Sequence, residues 1–295
     1  EIKARGNRLI LKTGPAEAVI NELLSETGAT SVYWNRRYEP WATQRDEKIK
    51  TALKGKGIEA RSFNAGLLRE PWAVTTQKGE PYKVFTPFWK ALRASGEPDQ
   101  LKPSPQRIPA PNDFAKSDNL NTWGLLPTKP DWAGGLREAW TPGEDAAQSR
   151  LHDFTDAAVF DYQDKRNLPG VSGTSRLSPH LHFGEIGPRQ IWHAVVASAL
   201  AQTGSPMPRG VATYLSEIAW REFSYHLLFH FPELPLKPLR TEFSNFLWIN
   251  DPDALSAWQR GATGYPIVDA GMRELWTTGW MHNSVRMIVA PFLIK

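Results

Sequence analysis

The chain has 295 residues, 41% hydrophobic and 22% charged, a balance that excludes intrinsic disorder and suits one large or two ordinary globular domains. No run of about 18 apolar residues is present, so no membrane span is expected, and the first ten residues lack a secretory pattern. Cysteine is absent, which excludes disulfides and thiolate chemistry and fits a reducing cytoplasm; the formal charge of +4 permits a local basic patch.

Residues 1–95 read as a partial α/β domain. Pro15 suits a first helical turn, Ala16 to Ser25 follows, and Gly28 sits where a C-terminal cap belongs. A β-prone run, Thr30 to Trp34, precedes a second helix from about Trp41 to Lys54, whose Ile49 and Leu53 share a face. Ile58 to Phe63 reads as another strand. Helices separating short strands imply a doubly wound parallel sheet, here without its opening strands.

Residues 96–143 carry Pro103, Pro105, Pro109, Pro111, Pro127, Pro130 and Pro142 with little periodicity, the pattern of a long interdomain linker. From residue 144 to 295 the pattern is helical: Leu151, Phe154, Ala158 and Tyr162 recur at helical spacing, and Pro188 to Leu200, Val211 to Phe231 and Met281 to Lys295 are further helices. The expected class is α/β plus all-α. The chain opens on Glu1 and stops at Lys295 inside an apolar, helix-like run, so it reads as a piece of a longer protein.

Three stretches could carry chemistry. Gly173-Thr174-Ser175-Arg176-Leu177-Ser178-Pro179 offers hydroxyls and a guanidinium before a helix, a set that can surround a diphosphate; the same residues also make an ordinary serine cap with proline behind it. Glu217, Trp220 and Arg221 share a face of a mostly apolar helix, where charge needs a polar cavity, although an i, i+4 Glu–Arg surface pair would look the same. Asn283, Arg286 and Met287 again fall at i, i+3 and i+4, suited to a base edge, a phosphate and a flat ring, or to a plain amphipathic helix. His180 and His182 lack a third ligand at metal-site spacing, so no metal is expected. Thirteen tryptophans point either to a large aromatic core or to stacking on bases or a ring cofactor.

These stretches, read as GTSRLSPHLHFGEI (173–186), EIAWREF (217–223) and TGYPIVDAGMRELWTTGWMHN (263–283) followed by VRMIVA (285–290), resemble the photolyase/cryptochrome family, most of all microbial enzymes acting on cyclobutane pyrimidine dimers. NRRYEPWATQRD (35–46) resembles the same family's α/β domain. The resemblance implies FAD in the helical domain and damaged DNA as partner, acting as a monomer. A second, antenna chromophore is also implied as an option, with Glu39 a candidate neighbour. Reduced FAD, excited by light, would pass an electron to a flipped-out dimer. By resemblance Tyr162, Thr174, Ser175, Arg176, Leu177, Ser178 and Arg221 hold the flavin. Glu217 hydrogen-bonds the damaged bases, Trp220 stacks on them, and Asn283, Ser284, Arg286 and Met287 line the dimer, with Arg166 on a DNA phosphate. Trp248 resembles the outermost tryptophan of the electron relay.

Two positions depart from the family pattern: Ser284 replaces a usual arginine, and Pro291 replaces a small residue, implying weaker phosphate contact and a kink near Met287. The family's flavin site extends past Lys295, so weak FAD binding by this stretch is expected. A cryptochrome-type blue-light sensor with the same fold and FAD is the alternative. A (6-4) photoproduct enzyme and a cofactor-free DNA-binding helical protein are further readings.

Overall fold

Helix α1 (Ala16–Thr27) ends where Gly28 takes φ 65 and returns its N–H to the Leu24 carbonyl at 2.9 Å in the computed structural model, which describes residues 2–294. Strand β1 (Ser31–Asn35) follows, then α2 (Pro40–Gly55), opened by a proline at its first position, and β2 (Glu59–Phe63). The two strands pair in parallel, from Ser31 opposite Glu59 to Asn35 opposite Phe63. The expected helix, strand, helix, strand order is therefore present. Ile49 and Leu53 of α2 pack with Ala60, Val32 and Trp34 and with Ile20 and Leu24 of α1, the small core of this unit.

This unit comprises the stretch through Gly66 together with Asp99–Thr128; the second comprises Leu67–Pro98 and the chain from Lys129 onward. The divisions read from the sequence near residues 95 and 143 do not coincide with these units. Residues 67–98 lie with the helical unit because Leu68, Val74, Phe88 and Leu92 share its hydrophobic core, a pairing across more than a hundred residues that periodicity does not report. The proline-rich stretch is likewise no free linker, since Leu11 N–H donates to Ser117 Oγ at 3.0 Å and Asp118 N–H to the Leu11 carbonyl at 2.7 Å.

The second unit contains α3 (Phe85–Ala94), α4 (Gly134–Ala139), α5 (Glu144–Asp153), α6 (Tyr162–Lys165), α7 (Ser178–Phe183), α8 (Pro188–Thr203), α9 (Arg209–His230), α10 (Pro252–Gln259), α11 (Pro266–Thr278) and α12 (Asn283–Ile294). The expected continuous helix through Leu151 and Tyr162 is broken: residues Phe154–Ala158 form a π-helical turn between α5 and α6. Helix α12 continues past Pro291 to Ile294; Lys295, its expected end, lies outside the described residues, as does Glu1.

Helix α9 runs through the main core, with Val211, Tyr214, Leu215, Ile218, Ala219 and Phe223 buried against α8, the π turn and α3. Its first turn passes so close to the 159–160 backbone that a Cβ on Gly210 would sit 2.3 Å from the carbonyl oxygens of Val159 and Phe160. A second core joins α11 to α12 through Val268, Met272, Met281, Val285 and Val289.

Polar groups also hold α9 in place. Glu222 is buried, and its Oε2 accepts from the N–H of Leu68 at 2.8 Å and of Arg69 at 3.3 Å. His226 Nε2 accepts from Tyr82 N–H at 3.1 Å, which leaves the proton on Nδ1, 3.1 Å from the Pro71 carbonyl.

Two outcomes follow for stability. Gly210→Ala is expected to destabilise by about 1–3 kcal/mol through overpacking. Gly55→Ala, helical with nothing within 4 Å of an added Cβ, is expected to be neutral or stabilising by up to about 1 kcal/mol; thermal melts compare the two. Burial pushes the Glu222 carboxyl from an ordinary 4.5 up to about 8, so the folded state holds a proton that the unfolded state has released. Its contribution to stability is full below about 4.5 and is lost as pH rises through about 8. His226, lowered mainly by burial, works in the opposite sense and at the acid end. Glu222→Gln should therefore flatten the melting profile between pH 4.5 and about 8 while leaving the acid limb in place.

Candidate functional site

The turn after α6 connects the predicted residues. Tyr162 opens that short helix and is buried, edge-on to Phe154 and Tyr214 at centroid separations of 5.9 and 5.2 Å. Burial, with a smaller push from the Glu217 charge, raises its hydroxyl to about 12. One turn later Arg166 lays its guanidinium 5.5 Å over the Tyr162 ring and forms an ion pair with Glu217 of α9 at 2.5 Å. Both partners are half-buried, so the pair is neither a solvated surface contact nor a sealed core bridge.

Glu217 stands three residues beyond Tyr214 on the same face of α9. Burial pushes the Tyr214 hydroxyl far above its usual range, and that hydroxyl donates to Ser175 Oγ at 3.1 Å. The 173–178 loop is thereby attached to α9. Its other anchor is Gly173, where a Cβ would come within 2.9 Å of Lys165 Cβ and of the Lys165 carbonyl oxygen. Thr174 and Ser175 are half-buried, Arg176 and Ser178 exposed, and Leu177 buried in the core. Arg176 adopts φ 50, a left-handed conformation uncommon for a non-glycine residue, and its guanidinium lies 4.1 Å over the Trp280 ring.

Trp280 leads into the third predicted stretch. His282 is buried and its Nδ1 accepts from Ser284 N–H at 3.1 Å, shaping the first turn of α12. Burial lowers the His282 pKa. Ser284 Oγ donates to Asn167 Oδ1 at 3.3 Å. The 166–167 turn thus touches α9 through Glu217 and α12 through Ser284, and the three stretches surround one locus. Asn283, Arg286 and Met287 are exposed on α12, with Arg286 reaching the Met281 carbonyl at 3.4 Å and Met287 64% exposed.

The other predicted residues are placed differently. Trp220, 46% exposed, is one turn beyond Glu217 and stacks on Phe85. Arg221 lies along α9, 4.9 Å over the Tyr225 ring and 3.6 Å from Glu222. Trp248 is 66% exposed and tilted against Phe246 in the irregular stretch after α9. Glu39 pairs with Arg37 at 2.8 Å, which holds its carboxyl below the usual range. His180 is engaged by Glu185 at 2.5 Å, and no cluster suited to a metal ion occurs among the described residues.

Phe85 and Asn167 escape sequence reasoning because their partners lie far along the chain. Tyr214 carried a readable signal, its three-residue offset from Glu217 on a helix. Chemically, the locus offers hydroxyl donors and a guanidinium on one loop, an ion-paired carboxylate, and an aromatic ring open to solvent. That set suits a phosphate-bearing cofactor beside a polar-edged aromatic ligand.

Two family models match: one described as DNA photolyase over residues 1–111, and one as the FAD binding domain of DNA photolyase over residues 214–295. The deoxyribodipyrimidine photo-lyase of Agrobacterium fabrum is 48% identical over 294 residues, all of this chain and 60% of the relative. Cryptochrome-1 of Arabidopsis thaliana is 35% identical over 303 residues, all of this chain and 44% of that protein. The crystal structure of a bacterial class III photolyase from Agrobacterium tumefaciens superposes with a TM-score of 0.95 at 48% identity, covering all of this chain and 60% of the other. The chain spans about three-fifths of the photo-lyase relatives it matches. With those motifs on one fold and gathered around one turn, the chain belongs to the photolyase/cryptochrome family.

Proposed function

We propose that the protein repairs cyclobutane pyrimidine dimers in DNA by light-driven electron transfer, using FAD bound at the 173–178 loop. The observation that carries this reading is the Arg166–Glu217 pair, held between the hydroxyl-rich loop and the first turn of α12. A carboxylate there can accept from the N–H edge of a pyrimidine, and Trp220 offers a ring for it to stack on.

The donor set fits FAD. Thr174, Ser175 and Ser178 hydroxyls and the Arg176 guanidinium would hold its phosphates and sugar, while Tyr162 and Leu177 close the floor of the loop. Arg221 would lie along the same helix face as Glu217. Bound and reduced, FAD supplies the photoexcited electron. Everything else is positioning: Glu217 orients the damaged bases, Arg166 neutralises the carboxylate and meets a backbone phosphate, and Asn283, Ser284, Arg286 and Met287 shape the far wall. Trp248, exposed, would serve as the outer end of an electron relay. The monomeric state and cytoplasmic location expected from the sequence belong to this proposal, as does an antenna chromophore near Glu39.

A purely sensory cryptochrome has no need of a carboxylate and stacking ring facing a base, so the α9 residues favour repair. Illuminating the FAD-loaded protein with a thymine-dimer oligonucleotide should restore thymine absorbance, with no recovery in the dark. Glu217→Ala should slow repair about 10- to 100-fold, the loss of a charge-assisted hydrogen bond. Equal repair in the dark, or by Glu217→Ala, rejects the reading. Arg166→Ala should weaken binding to undamaged duplex, lower the slope of log affinity against log salt by about one, and weaken binding to dimer DNA further by releasing Glu217.

A further inference from the structure

Trp220 lies against Phe85 with ring centroids 3.7 Å apart and planes inclined by 9°. At that separation nothing fits between the rings, so one face of the indole is covered. Its exposure of 46% therefore belongs to the opposite face and the edge. Phe85 is itself held: it meets Phe223 edge-on at 5.9 Å, Phe223 meets Trp220 edge-on at 5.9 Å, and Phe88 packs on Phe223 at 5.2 Å. The chain just before α3 is tied down by His226, through Tyr82 N–H and the Pro71 carbonyl.

We infer that Phe85 is a positioning residue for recognition of the extruded bases: it backs Trp220 and leaves a single indole face for a ligand ring. A tryptophan that enters DNA as a wedge needs both faces free to part a base step. A backed tryptophan cannot do this and acts only as a floor on which an extruded ring settles. Without Phe85 the indole would have two faces and more than one orientation, and part of the stacking energy would go to ordering it. The inference rests on the reading of Trp220 as the stacking ring in the proposed function.

Two measurements on Phe85→Ala and the conservative Phe85→Tyr test it, each protein compared with its own Trp220→Phe counterpart so that the difference isolates Trp220. Acrylamide quenching of the Trp220 fluorescence should rise about twofold in Phe85→Ala as the second face opens, and stay at the wild-type level in Phe85→Tyr, which keeps the stacked pair. The ratio of affinities for dimer-containing over undamaged duplex should fall about three- to tenfold in Phe85→Ala, the worth of one aromatic pair, and recover in Phe85→Tyr. Affinity for undamaged duplex should not change. A general loss of structure would lower the melting midpoint and both affinities together, in both variants. Unchanged quenching in Phe85→Ala overturns the inference whatever the DNA result, and so does doubled quenching with lesion preference intact. If the wild-type protein itself shows no preference for dimer DNA, the dimer reading fails, while the quenching still decides the Phe85–Trp220 pairing.

Discussion

Helix α9 lies inside its unit yet carries Tyr214, Glu217, Glu222 and His226, and a polar group taken from water is costly unless it is hydrogen-bonded. Each of the four finds hydrogen-bond partners on a different stretch of chain, although the second carboxylate oxygen of Glu222 is buried without one. Tyr214 is satisfied by Ser175 and Glu217 by Arg166; Glu222 takes the amides of Leu68 and Arg69, and His226 takes Tyr82 and Pro71. The loop, the turn and the segment before α3 are therefore gathered on one helix by the same need. The candidate site is where two of those compensations meet, the buried Tyr214 holding half-buried Ser175 and the half-buried Glu217 holding Arg166.

Two carboxylates five residues apart on α9 show how environment divides their tasks. Glu222 is buried and accepts from two backbone amides, and desolvation outweighs the nearby Arg221 guanidinium and holds it towards its neutral form. Glu217 is half-buried and paired with the Arg166 guanidinium, with one side left open. Only Glu217 can meet a ligand; Glu222 fastens the helix that presents it. The same division holds for the rings, since Phe223 and Phe88 are buried while Trp220 keeps a face in solvent.

Local order was well written in the sequence. Pro15, Gly28 and the alternation of helix and strand placed α1, β1, α2 and β2 within a residue or two, because caps and periodicity are short-range signals. The three motif stretches were legible as well, and the structure gathers them around Arg166 and Asn167. What periodicity could not report was long-range pairing. Residues 67–95 looked like the tail of the α/β domain, yet Phe88 and Leu92 pack in the helical core, and Phe85 lies against Trp220 from 135 positions away in the chain. The π-helical turn at 154–158 was also invisible, since Leu151, Phe154 and Tyr162 keep an apolar face on either side of it.

Arg166 joins these levels. A lysine at that position would offer a compact point charge able to neutralise Glu217, but not a planar fork with five donors. The guanidinium already spends one edge on the carboxylate and one face on the Tyr162 ring, and its remaining N–H groups are directed elsewhere by geometry. A guanidinium so held can keep its carboxylate partner while a phosphate approaches the free edge. Phosphate contact and base-edge recognition, in the proposed function, would then be coupled through one side chain rather than set against each other. That coupling requires the Arg166 turn to stay fixed, and the Ser284–Asn167 contact with α12 on its far side supplies the fixing.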